Sequence, residues 1–143
     1  MRFPSFDSLR PYSYALLRIV TALLFMQHGA QKLIGVFGGF GPSHGAVVLA
    51  SKMGVAGVCE LGGGLLIALG LLTRPVAWIL VIEMTVAYLT VHLPQGMVPI
   101  MNHGELPLLF IVNYLFIATH GPGAFSVDAA LGFDREDAGT VLT

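Results

Sequence analysis

Four apolar stretches succeed one another along the chain, at about 13–33, 53–72, 75–93 and 105–120. Each approaches the roughly 20 residues that a helix needs to cross a bilayer. None alternates with the period of two that a membrane-spanning β-strand requires, and the run LGGGLLIALGLL is apolar throughout. The pattern predicts an all-α fold, a four-helix transmembrane bundle with short loops and a polar C-terminal tail. The fourth stretch is short unless residues 101–104 extend it.

Between these stretches the chain carries breakers. GVFGGFGPSHG (35–45) is rich in glycine and ends the first helix. Residues 44–53 are expected to form a short interfacial helix. LTRP (72–75) is a tight turn with Pro75 at the start of the third helix. LPQGMVPIMNHG (93–104) is the third connection. After Gly121 a polar tail is expected to pack at first through Phe125 and Leu131, and then to fray. The whole chain, 1–143, reads as one membrane domain.

Composition identifies the solvent. Of 143 residues, 55% are hydrophobic and 10% charged, with mean hydropathy +0.80. Ordinary soluble domains carry roughly 25% charged residues. This chain cannot coat a core with polar groups, so its partner is the lipid bilayer. The net charge is −1, and no basic run points to nucleic acid. The single cysteine, Cys59, leaves no disulfide within the chain and no CxxC pair. The first apolar run lacks a small-x-small cleavage site and is read as a retained helix. With four spans both termini share one side, which holds Arg2, Arg10, Arg74 and Arg135. The opposite loops hold Lys32 and Lys52. The positive-inside bias predicts both termini in the cytoplasm, with the helices in the inner membrane of a prokaryote.

Ionisable side chains inside hydrocarbon cost several kcal/mol unless they face partners or water. Here Arg18, His28, Glu60 and Glu83 fall within the stretches, with His92 and Glu105 near their ends. Counting about 1.5 Å per residue from the inner side gives depths of roughly 22 Å for His28 and 20 Å for Glu60 and Tyr88. The same count gives about 19 Å for Asn113, 12 Å for Glu83 and 8 Å for Arg18 and His120. Two polar layers follow. The inner one, Arg18, Glu83 and His120, is expected to hold an Arg18–Glu83 ion pair as a structural clamp. The outer one, His28, Glu60, Tyr88 and Asn113, is capped by Gln31, Lys32, His92 and Glu105.

The outer layer is the candidate site. His28 and Lys32 share a helix face, with Gln27 and Gln31 on the adjacent strip. Gly63 and Gly64 would let a flat ligand, or another helix, approach the backbone of the second helix. A quinone headgroup would suit a histidine, a carboxylate and amides around such a gap. His28 and Glu60 would then handle protons, and Gln27, Gln31, Lys32, Gly63, Gly64, Tyr88 and Asn113 would bind the ligand. The alternative is that the glycines serve helix packing alone. No heme is expected, because His28 and His92 are only loosely level. No metal is expected, because His28, Glu60 and His92 match no ligand spacing. Cys59 reads as packing, and Tyr12 and Trp78 as interfacial aromatics.

LLRIVTALLFMQHGAQKLIGVFGG (16–39) and GVCELGGGLLIALGLLTRPVA (57–77) resemble signatures of the DoxX family of small membrane proteins. NHGELPLLF (102–110) and HGPGAFSVD (120–128) are similar to that family's last helix and exit. The resemblance implies a four-helix membrane bundle. It also implies a redox-linked role with partner proteins, since the family is named for the small subunit of a thiosulfate:quinone oxidoreductase. By motif match it carries over Arg18, His28, Lys32, Glu60 and Arg74, without assigning them an agreed catalytic role.

Three functions remain open on the sequence. The first is a redox-linked subunit binding a quinone-like or other small apolar ligand. It would take electrons from an oxidoreductase partner or a bound substrate, because the chain has no cysteine pair or nucleotide-binding glycine loop. The second is a non-catalytic anchor or assembly protein whose polar residues are clamps. The third is a small transporter or proton conductor, which would require a homo-oligomer; Gly64 and Ala68 offer small contact positions for one.

Overall fold

The computed structural model describes residues 6–133. Within them the chain is helical, with no strand and a single isolated bridge between Phe40 and Gly45. We number five helices. α1 is Arg10–Ile34, α2 is Lys52–Leu69 and α3 is Thr73–Gln95, α4 is Glu105–His120 and α5 is Val127–Leu131. α2 and α3 are each long and apolar enough to cross a membrane. Each also contains a π-helical turn, Cys59–Gly63 in α2 and Tyr88–His92 in α3.

Each helix buries one stripe at helical spacing. On α1 the buried residues include Tyr14, Arg18, Thr21, Phe25 and Gly29. On α4 they are Phe110, Tyr114, Ile117 and Ala118. Phe25 meets Phe110 and Tyr114 edge-on, with centroids 4.8 and 5.0 Å away. This is the geometry in which ring edges meet ring faces favourably. Ile67, Leu80 and Met84 complete the core around them.

The helices associate as two pairs. α1 packs along α2, and α3 along α4. Glycine makes the first contact close. A Cβ on Gly29 would strike the backbone of α2 at Leu61 and at the Gly57 carbonyl (2.8 Å). A Cβ on Gly64 would run into Met26 at 2.6 Å, and one on Gly63 into Leu80 at 2.8 Å. The space beside Gly63 and Gly64, open on the sequence to a flat ligand or to helix packing, is filled by neighbouring side chains. Between the pairs, α2 meets α3 from Cys59 onward, while its opening segment Lys52–Val58 stays apart. A wedge is left between the pairs beside that segment.

Several expectations need correction. No helix forms over residues 44–51. That segment folds back on α1, with Val47 N–H donating to the Lys32 carbonyl at 2.8 Å and the His44 ring on the Gly38 carbonyl at 3.1 Å. Ser51 then caps α2 by accepting from Gly54 N–H at 3.1 Å. α2 ends at Leu69 rather than 72, because Gly70 takes a left-handed conformation (φ 66°) and Leu72 follows it (φ 50°). α3 begins at Thr73, two residues before Pro75. Pro75 sits in the first turn, where its missing N–H would have had no helical partner. Residues 101–104 form turns and do not lengthen α4.

The segment after α4 is held mainly by polar groups; Leu131 is 58% exposed, and Phe125, 69% exposed, adds a ring contact with Tyr12 of α1, centroids 5.9 Å apart. Asp128 receives Leu72 N–H at 2.9 Å, and Thr73 N–H and the Thr73 hydroxyl both at 2.8 Å. Its own N–H donates to the Gly70 carbonyl at 2.9 Å. A residue from α5 thus caps α3, placing a carboxylate where the helix presents unpaired N–H groups and the positive end of its dipole. The part of the tail after Phe133 lies outside the described residues.

Candidate functional site

The wedge between the helix pairs is a cleft of about 800 Å³. Its walls are mostly apolar, contributed by residues such as Phe25, Val55, Ala87 and Phe110. Ionisable side chains line it from three helices and the third loop, His28 and Lys32 from α1, Lys52 and Glu60 from α2, Glu83 and His92 from α3, and His103 from the loop before α4. Both π turns border it, through Cys59 and Glu60 on one side and His92 on the other. A π turn adds one residue to a helical turn and re-aims the side chains there, and such turns recur at functional sites.

Lys32 and Glu60 form the polar centre. The Lys32 ammonium lies 2.5 Å from both carboxylate oxygens, with the two side chains only 12% and 4% exposed. Phe40, from the loop after α1, sets its ring 5.5 Å from the same ammonium, within reach of a cation–π attraction. His28 stands one turn before Lys32 and meets Phe110 edge-on at 6.0 Å. Glu83 approaches from the opposite wall. Its Oε2 is buried and has no hydrogen-bond partner among the described residues.

This arrangement regroups the polar residues expected from sequence. His28, Lys32, Glu60 and His92 do share one cleft. The Arg18–Glu83 ion pair does not form. Arg18 is fully buried and donates to four carbonyls, Ile67 (2.7 Å), Ala68 (3.1 Å), Ala124 (3.2 Å) and Phe125 (2.8 Å). These carbonyls lie at the end of α2, where the helical ladder runs out, and in the segment before α5, and they suit a guanidinium with donors on two sides. Glu83 is thereby free to join Glu60. His120 is exposed and packs on Tyr14, with centroids 4.0 Å apart, away from Glu83.

Several residues expected to bind the ligand, and Glu105, expected to cap the outer layer, lie elsewhere. Tyr88 stacks on His92 at 6.4 Å and closes over Gly104. Asn113 donates to the Thr21 hydroxyl at 3.3 Å, joining α4 to α1. Gln31 donates to the Phe37 carbonyl at 3.3 Å, Gln27 is exposed, and Glu105 is exposed at the start of α4. None of these five lines the cleft, nor do Gly63 and Gly64. Arg74 donates to the Ala118, Thr119 and His120 carbonyls, with the shortest at 2.7 Å to Thr119. A cation there suits the negative end of α4.

Two features escaped the sequence reading. Asn102 is completely buried, donating to the Gly96 carbonyl at 2.6 Å and accepting from Gly104 N–H at 2.8 Å. Its carbonyl meets the His92 ring at 2.9 Å, so the third loop fixes His92 at the cleft. Asn-x-Gly in a proline-bearing loop was the available signal. Phe40 arrives from a glycine-rich loop whose path no helical period predicts.

The chain is similar in sequence to known proteins. The DoxX family model matches residues 13–93. An uncharacterised protein of Haemophilus influenzae is 40% identical over 129 residues, covering 85% of this chain and 92% of that protein. A Bacillus subtilis protein provisionally named as the oxidoreductase CatD is 32% identical over 120 residues, covering 79% and 82%. No solved structure matches. Both long signatures and most of the residues that line the cleft fall on the matched residues, and the chain belongs to the DoxX family of membrane proteins.

Proposed function

We propose that the chain is a redox-linked membrane subunit whose cleft binds a quinone-like ligand, with an oxidoreductase partner supplying the electrons. The observation that carries this reading is an apolar cleft of about 800 Å³ lined by a cluster of ionisable groups that includes His28, Lys32, Glu60 and Glu83. Sites for small ligands typically occupy roughly 300–1,000 Å³, with apolar walls and a few placed polar groups. The ligand's apolar body would lie along Val55 and Ala87, and its oxygens would reach His28, Lys32 and Glu60. The name given to the Bacillus relative points the same way.

In this reading α1 to α4 all span the inner membrane, with both termini in the cytoplasm. At about 1.5 Å per residue the 25 residues of α1 reach roughly 37 Å. The 16 residues of α4 reach roughly 24 Å, and the turns around buried Asn102 complete its crossing. Large apolar side chains such as Leu16, Leu24, Ile79 and Val112 face outward from α1, α3 and α4, as contact with lipid requires. The cleft then opens in the outer half of the bilayer.

The test is to purify the protein gently and look for bound quinone by absorbance and mass spectrometry. The native protein is expected to carry it, and His28→Ala and Glu60→Gln are expected to lose it. A native protein without quinone, which also fails to bind added quinone, would overturn the reading.

A further inference from the structure

Resting on the reading of the cleft as a quinone-like site, we infer that His92 is the residue that exchanges a proton with the ligand, through Nε2, and that the third loop fixes which ring nitrogen does so. His92 lines the cleft from the π turn of α3. Its Nδ1 lies 2.9 Å from the backbone carbonyl of Asn102. A carbonyl oxygen only accepts, so Nδ1 is the donor and keeps its proton whether the ring is neutral or charged. The proton that comes and goes therefore sits on Nε2. That nitrogen has no hydrogen-bond partner among the described residues, and it is not buried: the unpartnered buried side-chain atoms there belong to Arg18, Glu83 and Tyr114. Nε2 is open to a ligand.

The loop holds the ring in that state. Asn102 is wholly buried and its side chain ties Gly96 to Gly104, so the carbonyl that receives Nδ1–H is fixed. His103, the next residue, takes a left-handed backbone conformation (φ 55°). Residues with a side chain seldom adopt it, and such backbones cluster at functional sites. Tyr88 stacks on the His92 ring. Gly104 makes room for it, since a Cβ there would meet the Tyr88 ring at 2.6 Å. His28, by contrast, meets Phe110 edge-on, and no hydrogen bond among the described residues fixes either of its nitrogens.

The step is an acid–base one. A neutral Nε2 accepts the hydroxyl proton of a quinol. The O–H bond breaks as the Nε2–H bond forms, leaving a quinol anion beside an imidazolium, and no electron moves. A protonated Nε2 donates a hydrogen bond to a quinone carbonyl. The neutral ring thus favours the reduced ligand and the charged ring the oxidised one. Facing His92 across the cleft are His28 and Lys32 of α1 and Lys52, Cys59 and Glu60 of α2, with Glu83 on its own helix and His103 in the third loop.

The full-length protein in lipid nanodiscs, titrated anaerobically with decylubiquinol and with decylubiquinone between about pH 5 and pH 8, the range in which histidine changes charge, tests this. In wild type the ratio of quinol to quinone affinity is expected to rise about tenfold from the lower pH to the higher, the worth of one hydrogen bond. His92→Asn keeps an amide N–H near the position of Nδ1, and with it the loop contact, but has no atom at Nε2. Its ratio is expected to stay within about twofold across the range. The other groups of the cleft are the same in both proteins, so the difference between the two profiles belongs to His92. If that variant does not fold, His92→Gln, whose amide neither gains nor loses a proton, takes its place with the same flat ratio expected. A flat ratio in wild type, or a slope that survives the substitution, would overturn the inference and leave the quinone-like reading standing. Failure of wild type to bind either probe would overturn the quinone-like reading itself.

Discussion

Lys32 and Glu60 meet across the α1–α2 crossing with the ammonium equidistant, at 2.5 Å, from both carboxylate oxygens. The contact exists because Gly29 and Gly57 bring the two backbones together one turn away. Side chains that would otherwise need to be satisfied separately inside an apolar protein satisfy each other.

Breaking that pair from one side strands a buried charge, which typically costs about 3–5 kcal/mol. Lys32→Met and Glu60→Gln are each expected to destabilise the protein, the first by more, because the glutamine amide still offers hydrogen bonds to Lys32. The double variant Lys32→Met/Glu60→Leu is expected to recover part of the loss. Thermal unfolding in a mild detergent checks the order. A double variant less stable than either single one would contradict it.

The crossing itself makes a second prediction. Gly29→Val would drive a side chain into α2 backbone, where nothing can rotate away. It is expected to cost more than about 3 kcal/mol, at the upper end of overpacking effects. Gly62→Ala has open space around the new Cβ and is expected to change stability by less than about 0.5 kcal/mol. Gly64→Ala falls between them, since Met26 is flexible enough to yield. Circular dichroism melts of the three variants give the ranking.

Arg18 is a third case. Arg18→Lys keeps the charge but replaces a planar fork with a single point donor, which cannot reach carbonyls on two sides. It is expected to lose about 2–3 kcal/mol, the value of one or two hydrogen bonds from a charged donor. Residues 121–133 are expected to become more accessible to protease. Limited proteolysis that cuts wild type and variant at the same rate there would refute the clamp.

Asp128 gives the pH dependence. Burial opposes its ionisation, but the Thr73 and Leu72 N–H groups and the Thr73 hydroxyl outweigh that and hold its carboxyl below the ordinary range. A group whose native value is depressed contributes stability that is fully present above its unfolded value, about 3.9. That stability is lost as pH falls from there through the native value. Wild type is therefore expected to lose more stability than Asp128→Asn between pH 5 and pH 2. At neutral pH the variant is expected to be weaker by about 1 kcal/mol, as for a lost helix cap. Denaturant melts at several pH values check both parts.

Much of the site was legible in the sequence. His28 and Lys32 four residues apart on α1, and Glu60 level with them on α2, do line one cleft, because helical rise and period carry over directly into depth and face. The partner choices were not legible. Pairing Arg18 with Glu83 treated opposite charges as the only remedy for burial, whereas helix ends supply carbonyls that satisfy a guanidinium as well. Tyr88 and Asn113 face other partners than the cleft: Tyr88 opens the π turn of α3 and stacks on His92, and Asn113 on α4 faces Thr21 of α1. The glycines of the second signature were open to either reading, and the neighbours Met26 and Leu80 fill the space beside them.

The four carbonyls around Arg18 also set an order of events during synthesis. Two of them, at Ala124 and Phe125, emerge from the ribosome more than a hundred residues after the arginine. Until then a cation within the first helix has only half of its final partners. In the proposed topology, with α1 crossing the bilayer, the nascent chain would keep that helix near water, or shielded by the insertion machinery, until the segment before α5 arrives. A truncation that stops before residue 124 would leave α1 to α4 intact and still deprive α1 of two of the four carbonyls that satisfy its arginine.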